Sequence, residues 1–378
     1  MSSKFRSVVW ICTVLLGTQA LAAGAEAPAD EVLYLPDGEE VRDAVEARRG
    51  KTSLSKLAAS MKPGTWAELK TDMPKGLWSA PSKKGLHIGT WSDDAHWDSR
   101  TGQFLFFGVR QARKFVAYSE EKNAWRVIDF AGKPNAPKLA QKFGHQYSCN
   151  GFDPERSQFY TGRYRYDIPT GRWKRLPPAQ GRRKTMVWEY FSAMDALLSI
   201  TRHAGVLWSY HSRNKKWTKM GKVPVHGYHS LARHNPYRKE VLFAGGNKSR
   251  AVIALQKDGT IRRLSDFPLP VAFTIRLDAV TVDPLSGRYL IMSRHGGHRF
   301  VEFDSEKDEY RLIDDFKETP WPFARYVAPI VAFIPEYGVT MWTGGKKVHL
   351  YKHDASADLK VLQSDEDDTE EDADDEAR

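Results

Sequence analysis

Six short apolar runs punctuate the chain, each closing on glycine or another small residue: FLFFG at 104–108, QFYTG at 158–162, ALLSIT at 196–201, EVLFAGG at 240–246, RYLIMS at 288–293 and GVTMWTGG at 338–345. Most follow DSRTGQ, DPERSQ, NPYRKE or DPLSGR. In these stretches an Asp or Asn next to Pro or Ser folds the backbone back on itself. A second pattern alternates with the first: Trp66-Ala-Glu-Leu69, Trp125-Arg-Val-Ile128, Trp173-Lys-Arg-Leu176, Trp217-Thr-Lys-Met220, Ile261-Arg-Arg-Leu264 and Tyr310-Arg-Leu-Ile313. Successive copies start 59, 48, 44, 44 and 49 residues apart. Each unit therefore reads as inner strand, turn, apolar strand, loop, aromatic-bearing strand, polar turn and Trp strand. A period of this length with four short strands per unit predicts the blade of a β-propeller, and the count predicts six blades. Trp66-Ala-Glu-Leu69 precedes the first complete unit, so it is expected to complete the last blade as its outer strand. Leu359-Lys-Val-Leu362 is the alternative from the other side. Residues 38–61 read as one or two short helices, EEVRDAVEARR and SLSKLAASM, outside the ring.

The Gly-Gly after an apolar strand (Gly245-Gly246, Gly344-Gly345), with a Trp some 20 or more residues later, resembles kelch repeats, and the resemblance covers roughly residues 64–353. It implies an all-β, six-bladed kelch-like propeller over 64–362, preceded by a partly helical extension at 23–63. Twelve Trp, 15 Tyr and 18 Phe favour the β reading.

The first residues, MSSKFR followed by VVWICTVLL and Ala20-Leu21-Ala22, predict a signal peptide over 1–22 and an exported protein, periplasmic or secreted. The apolar run is too short to span a bilayer. Cys12 lies inside it, which argues against a lipid anchor there and leaves Cys149 alone in the mature chain, without a disulfide partner. The formal charge of +10 conceals an asymmetry. Residues 364–378 hold ten acids against one arginine, −9, which leaves +19 on the remainder. Residues 363–378 read as a disordered, solvated acidic tail, or as one that folds back and competes for a basic face.

In a propeller the loops leading into the inner strands share one face with the loops between second and third strands. The first set offers His87, Trp91, His145, Tyr147, Trp188, Glu189, Tyr190, His226, Tyr228, His229, Arg276, Arg325 and Tyr326. The second set is cationic in every unit: Arg110, Arg113 and Lys114; Arg163 and Arg165; Arg202 and His203; Lys248 and Arg250; Arg294, His295, His298 and Arg299; Lys346 and Lys347. Such a ring attracts an anion. With Trp91, Trp188 and Tyr326 offering apolar faces and Arg offering paired hydrogen bonds to carboxylate or sulfate, the expected partner is an acidic polysaccharide or anionic sugar. The anticipated binding set is Trp91, Arg110, Arg163, Trp188, Glu189, Arg202, Arg276, Arg294, Arg325 and Tyr326. Nucleic acid suits the same chemistry, but export makes it the weaker partner.

If the site is catalytic, β-elimination on a uronate glycan would use His145, Tyr147, Tyr228 and His229 for proton transfer, with Arg276 or Arg325 neutralising the carboxylate. Tyr228-His229 and the Cys149–Tyr147 neighbourhood are similar to the copper ligands and Cys-Tyr cross-link of galactose oxidase. That family has one blade more and a following domain that supplies a further ligand. Kelch mutarotases of sialic acid, also six-bladed and exported, are similar as well, and would assign roles to Glu189 with Arg276 or Arg325. Tyr228-His229-Ser230 falls at the repeat position of Tyr147-Ser148-Cys149, so scaffolding alone accounts for it. HExxH, paired CxxC, a calcium loop outside the tail and a phosphate-cradling Gly loop are all missing, and no metal or cofactor is expected. His295-Gly-Gly-His298 reads as a basic loop.

Overall fold

The computed structural model describes residues 38–80, 87–89, 95–108, 113–137, 148, 150–178, 185–201, 204–225, 227, 229–246, 249–269, 273, 278–294, 298–316 and 329–363. Six antiparallel sheets make six blades. Their first strands are Ala95–Asp98, Asn150–Asp153, Thr185–Phe191, Ser230–Asn235, Asp278–Val282 and Ile330–Ile334. Each of these inner strands contacts the next, and the sixth contacts the first, which closes the ring. Inner strands are flanked by neighbours on both sides, so they lack in/out alternation: all six residues of Ser230–Asn235 are buried.

Outer strands behave differently. Arg172–Arg175 runs exposed, buried, exposed, exposed, and the buried residue is Trp173. Its indole packs against Phe115 of blade 1 at 5.8 Å and Phe130 at 6.0 Å. Trp217, in Lys216–Lys222 of blade 3, meets Trp188 edge-on at 5.5 Å and 79°. A large ring recurs in five of the six outer strands and fills the space beside the blade, Ile261 taking the place in blade 4.

Closure follows the first of the two alternatives. Thr65–Leu69 pairs antiparallel with Val348–Lys352, from Thr65↔Lys352 to Leu69↔Val348, as the outermost strand of blade 6. Trp66 packs there against Tyr351 at 4.5 Å and Phe300 at 5.4 Å. The segment near Leu359 does something else. Lys360–Val361 adds a fifth strand to blade 5, against Glu309–Phe316. Its antiparallel direction carries the chain toward the start of that strand, where Leu362 N donates to Tyr310 O at 2.9 Å.

Turn chemistry is regular at the end of the ring where first strands reverse into second strands. Asp98, Asp153, Asn235 and Asp283 each accept hydrogen bonds from backbone N–H groups two or three residues on. Blades 3 and 6 use the 3-10 turns Ser192–Met194 and Pro335–Tyr337 instead. Two helices, α1 (Glu39–Arg48) and α2 (Ser53–Ser60), lie against this end. Thr52 caps α2 by accepting from Ser55 N at 3.1 Å. Arg48 pairs with the buried Glu120 at 2.8 Å, and Glu120 also accepts from Tyr337 Oη at 2.7 Å and Thr52 Oγ1 at 2.6 Å. Buried Glu336 accepts from Trp97 Nε1 and Ser99 Oγ, both at 2.8 Å. No helix among the described residues is long and apolar enough to cross a membrane.

Candidate functional site

The connections between blades and the corners between second and third strands leave from the opposite end of the ring, here the loop face. Of the anticipated catalytic residues, His145, Tyr147 and Tyr228 lie outside the described residues, as do Trp91, Arg110, Arg202, Arg276, Arg325 and Tyr326 of the binding set and Cys149. His229 is half-buried with φ at 66°, and Ser148, at the equivalent position of blade 2, has φ at 48°. A shared left-handed conformation at one repeat position is a property of the scaffold: the chain turns there before entering the inner strand. Ser148 is fully buried, its carbonyl accepting from Trp188 N at 2.9 Å and its Oγ from Ala232 N at 3.1 Å.

Two anticipated binding residues sit elsewhere than a loop. The inner strand of blade 3 runs from Thr185 to Phe191, with a register shift between Thr185 and Val187, so Trp188 and Glu189 lie inside it. Trp188 is 5 % exposed and belongs to the packing between blades 2 and 3, not to a sugar-facing surface. Glu189 is buried, accepting from Tyr190 N at 3.0 Å and His234 N at 3.2 Å, and so ties blade 3 to blade 4.

On the loop face, each described corner carries cations, and several are already engaged. Lys114 Nζ donates to Gly76 O at 2.7 Å and Ser79 O at 3.2 Å. Arg250 Nε donates to Phe267 O at 2.8 Å. Lys347 pairs with Glu68 at 2.9 Å, and Arg299 stands 3.7 Å from Asp315. Arg163 is half-buried and Lys346 exposed, and neither forms an ion pair among the described residues. Arg294 is half-buried, and burial holds its guanidinium below the ordinary arginine range. Burial, then Arg294, lowers the neighbouring His298. His87 is fixed as a neutral ring: its Nδ1 accepts from Gly89 N at 2.9 Å, so Nε2 carries the proton toward Gly344 O at 2.5 Å. Desolvation pushes it down to about 4.

A second polar cluster was not legible in advance. On the ring axis, toward the turn end, His96, Phe152, Glu189, Arg233, His234 and Phe333 line a pocket. Arg233 Nη1 reaches Ala95 O at 3.5 Å. Burial, then the adjacent Arg233, holds His96 well below the ordinary histidine range. His234 meets Ser192 Oγ at 3.2 Å and burial pushes it down to about 3. The space open to a water-sized molecule is about 40 Å³, room for about three waters and too little for a sugar ring. Among the described residues no group of three or more His, Cys, Asp or Glu side chains is arranged to hold a metal.

No protein-family model matches the chain, and no curated protein matches it. Among solved structures it is similar to a streptogramin B lyase at 11% identity, covering 69% of this chain and 76% of that one with a TM-score of 0.44. It is also similar to a structural-genomics protein of unknown function from Bacteroides thetaiotaomicron VPI-5482, at 12% identity, 78% and 73% coverage and a TM-score of 0.47. The blade count comes from the strand order, independently of either likeness.

Proposed function

We propose that this chain is an exported propeller that binds an acidic saccharide on its loop face. The reading is supported by one observation above the rest: a cation recurs at the corner between second and third strands in every blade, and closure of six blades gathers those corners around one opening. Isolated surface lysines and arginines need no explanation, whereas six symmetry-related ones concentrate positive potential at one mouth. Arg163, Arg294 and Lys346 are the described contributors; Arg110 and Arg202 fall at the same corner in the sequence of blades 1 and 3, Arg276 and Arg325 in the sequence of two entry loops, and all four lie outside the described residues. The blades are read as degenerate kelch units, with Gly245 in support. Its φ is 72°, and a Cβ there would lie 1.9 Å from Phe273 O, so the backbone crossing excludes every other residue.

The test is titration of the mature protein with alginate, pectate, ulvan and glycosaminoglycans at low and high salt, while following absorbance from a new double bond. Binding that weakens with salt, and weakens about tenfold in Arg163→Gln/Arg294→Gln, is expected. Absorbance growth would extend the reading to β-elimination by the His145, Tyr147, Tyr228 and His229 group. Binding of none of these polymers, or binding indifferent to both substitutions, overturns it.

A further inference from the structure

Charge is distributed unevenly around the outside of the ring. Blade 5 presents Glu306, Asp308, Glu309, Asp314 and Asp315 along its outer strand and turn. Blades 2 and 3 present the reverse. Their outer strands, Arg172–Arg175 and Lys216–Lys222, contain no acidic residue, and Lys215 precedes the second. The seam between these blades gathers Arg165, Arg172 and Lys174 from one side and Lys215 and Lys219 from the other. Trp217, which shares a strand face with Lys219, reaches toward blade 2, its Nε1 donating to Pro177 O at 3.0 Å. Arg165 is the direct cross-strand partner of Lys174. Like charges placed opposite one another in a sheet are destabilising. The conflict registers on Lys174, whose ammonium is held below the ordinary lysine range by Arg165 first, then burial, then Lys215 across the seam.

Nearby carboxylates are already engaged. Asp167 accepts from Thr170 N and Oγ1, and Asp195 is paired with Arg156 and Arg213. Lys174, Lys215 and Lys219 form no ion pair among the described residues. The arrangement concentrates positive charge that a polyanion would neutralise.

We propose that the seam between blades 2 and 3 is a docking surface for the acidic segment 364–378 of a second copy of this chain. Three observations select that occupant. The segment carries ten acids against one arginine, which matches the seam in sign and multiplicity. The described chain ends at Gln363, just beyond the strand Lys360–Val361 on the outside of blade 5. Blade 5 lies opposite blade 2 in a ring of six. Fifteen residues span at most about 50 Å when fully extended, and blades 3 and 4 stand between blade 5 and the seam of its own ring. A neighbouring copy presents the seam directly. The contact is heterologous, joining one edge to a different edge, so it either closes on itself by reciprocal exchange or runs on from copy to copy. It also leaves the loop face uncovered and is independent of saccharide binding there.

The experiment is sedimentation velocity of the full mature chain over a concentration series, at about 20 mM and about 200 mM salt. It is run beside a version lacking 364–378 and beside Lys174→Glu/Lys219→Glu, both exposed positions whose substitution leaves the core intact. A fluorescent 364–378 peptide is titrated onto the shortened protein. Expected are concentration-dependent association of the full chain at low salt, its loss in both variants, and peptide affinity that falls at least about tenfold at the higher salt and in the double variant. Self-association unchanged by removing 364–378, a full chain that stays monomeric at low salt, or peptide binding indifferent to the double variant would overturn the proposal. So would an acidic polysaccharide that binds the seam, as judged by the double variant, where the peptide does not.

Discussion

The two ends of the ring handle buried polarity in opposite ways. At the turn end, Asp98, Asp153, Asn235 and Asp283 each close their own turn, and Glu120 and Glu336 join helices and blades that are far apart in sequence. Carboxylates dominate there, and each has its donors. At the loop end the recurring groups are cations, and the acids to match them are few. Among the loop-end cations Lys114, Arg250 and Lys347 are engaged, while Arg163 and Lys346 form no ion pair among the described residues.

Four outcomes bear on this contrast. Gly245→Ala would break its simplest form, because the loop end also contains a backbone constraint. The Cβ clash of 1.9 Å with Phe273 O at φ 72° is expected to cost about 4 kcal/mol by urea denaturation. Glu336→Ala sharpens it from the turn end. Leaving Trp97 Nε1, Ser99 Oγ and the nearby Arg48 without their acceptor should lower stability by about 3 kcal/mol, with Glu336→Gln losing less because one acceptor oxygen remains.

Acid titration compares one histidine from each end. The folded-state values of His87 and His234 lie below the ordinary 6.5, at about 4 and about 3, so the unfolded chain takes up their protons first. Their contribution is complete above pH 6.5 and declines as pH falls toward those values, by about 1.4 kcal/mol per pH unit for each ring. His87→Gln and His234→Gln should each flatten the stability profile between pH 6.5 and 4.5. An unchanged slope in either variant removes that ring from the comparison. Smallest of all, Arg163→Gln should alter stability by less than about 0.5 kcal/mol while weakening glycan binding severalfold in the same preparation.

Much of the architecture is readable in the chain because outer strands are half-exposed. Trp125, Trp173 and Trp217 stand alone among polar neighbours, and the Asp-Pro or Asn-Pro turns mark where first strands reverse. The inner strands hide their chemistry for the converse reason. Ser230–Asn235 is buried throughout, so Arg233 and His234 show no periodicity that sets them apart. Their meeting with His96 depends on ring closure across three blades. Trp188 and Glu189 look like loop residues beside the cationic GRRKT stretch, yet the strand already begins at Thr185. Lys360–Val361 has the composition of a closing strand, but Thr65–Leu69 has taken the edge of blade 6, and the free outer edge of blade 5 receives it instead.

The pairing of Thr65–Leu69 with Val348–Lys352 has a temporal consequence. The blade that seals the circle joins one of the earliest-made strands of the propeller to one of the last, so during synthesis blades 1 to 5 must stand as an open arc with an unsealed flank. Cooperative protection of the whole arc arrives only when the final residues emerge, and the clasp has to close a loop of nearly the full length of the propeller.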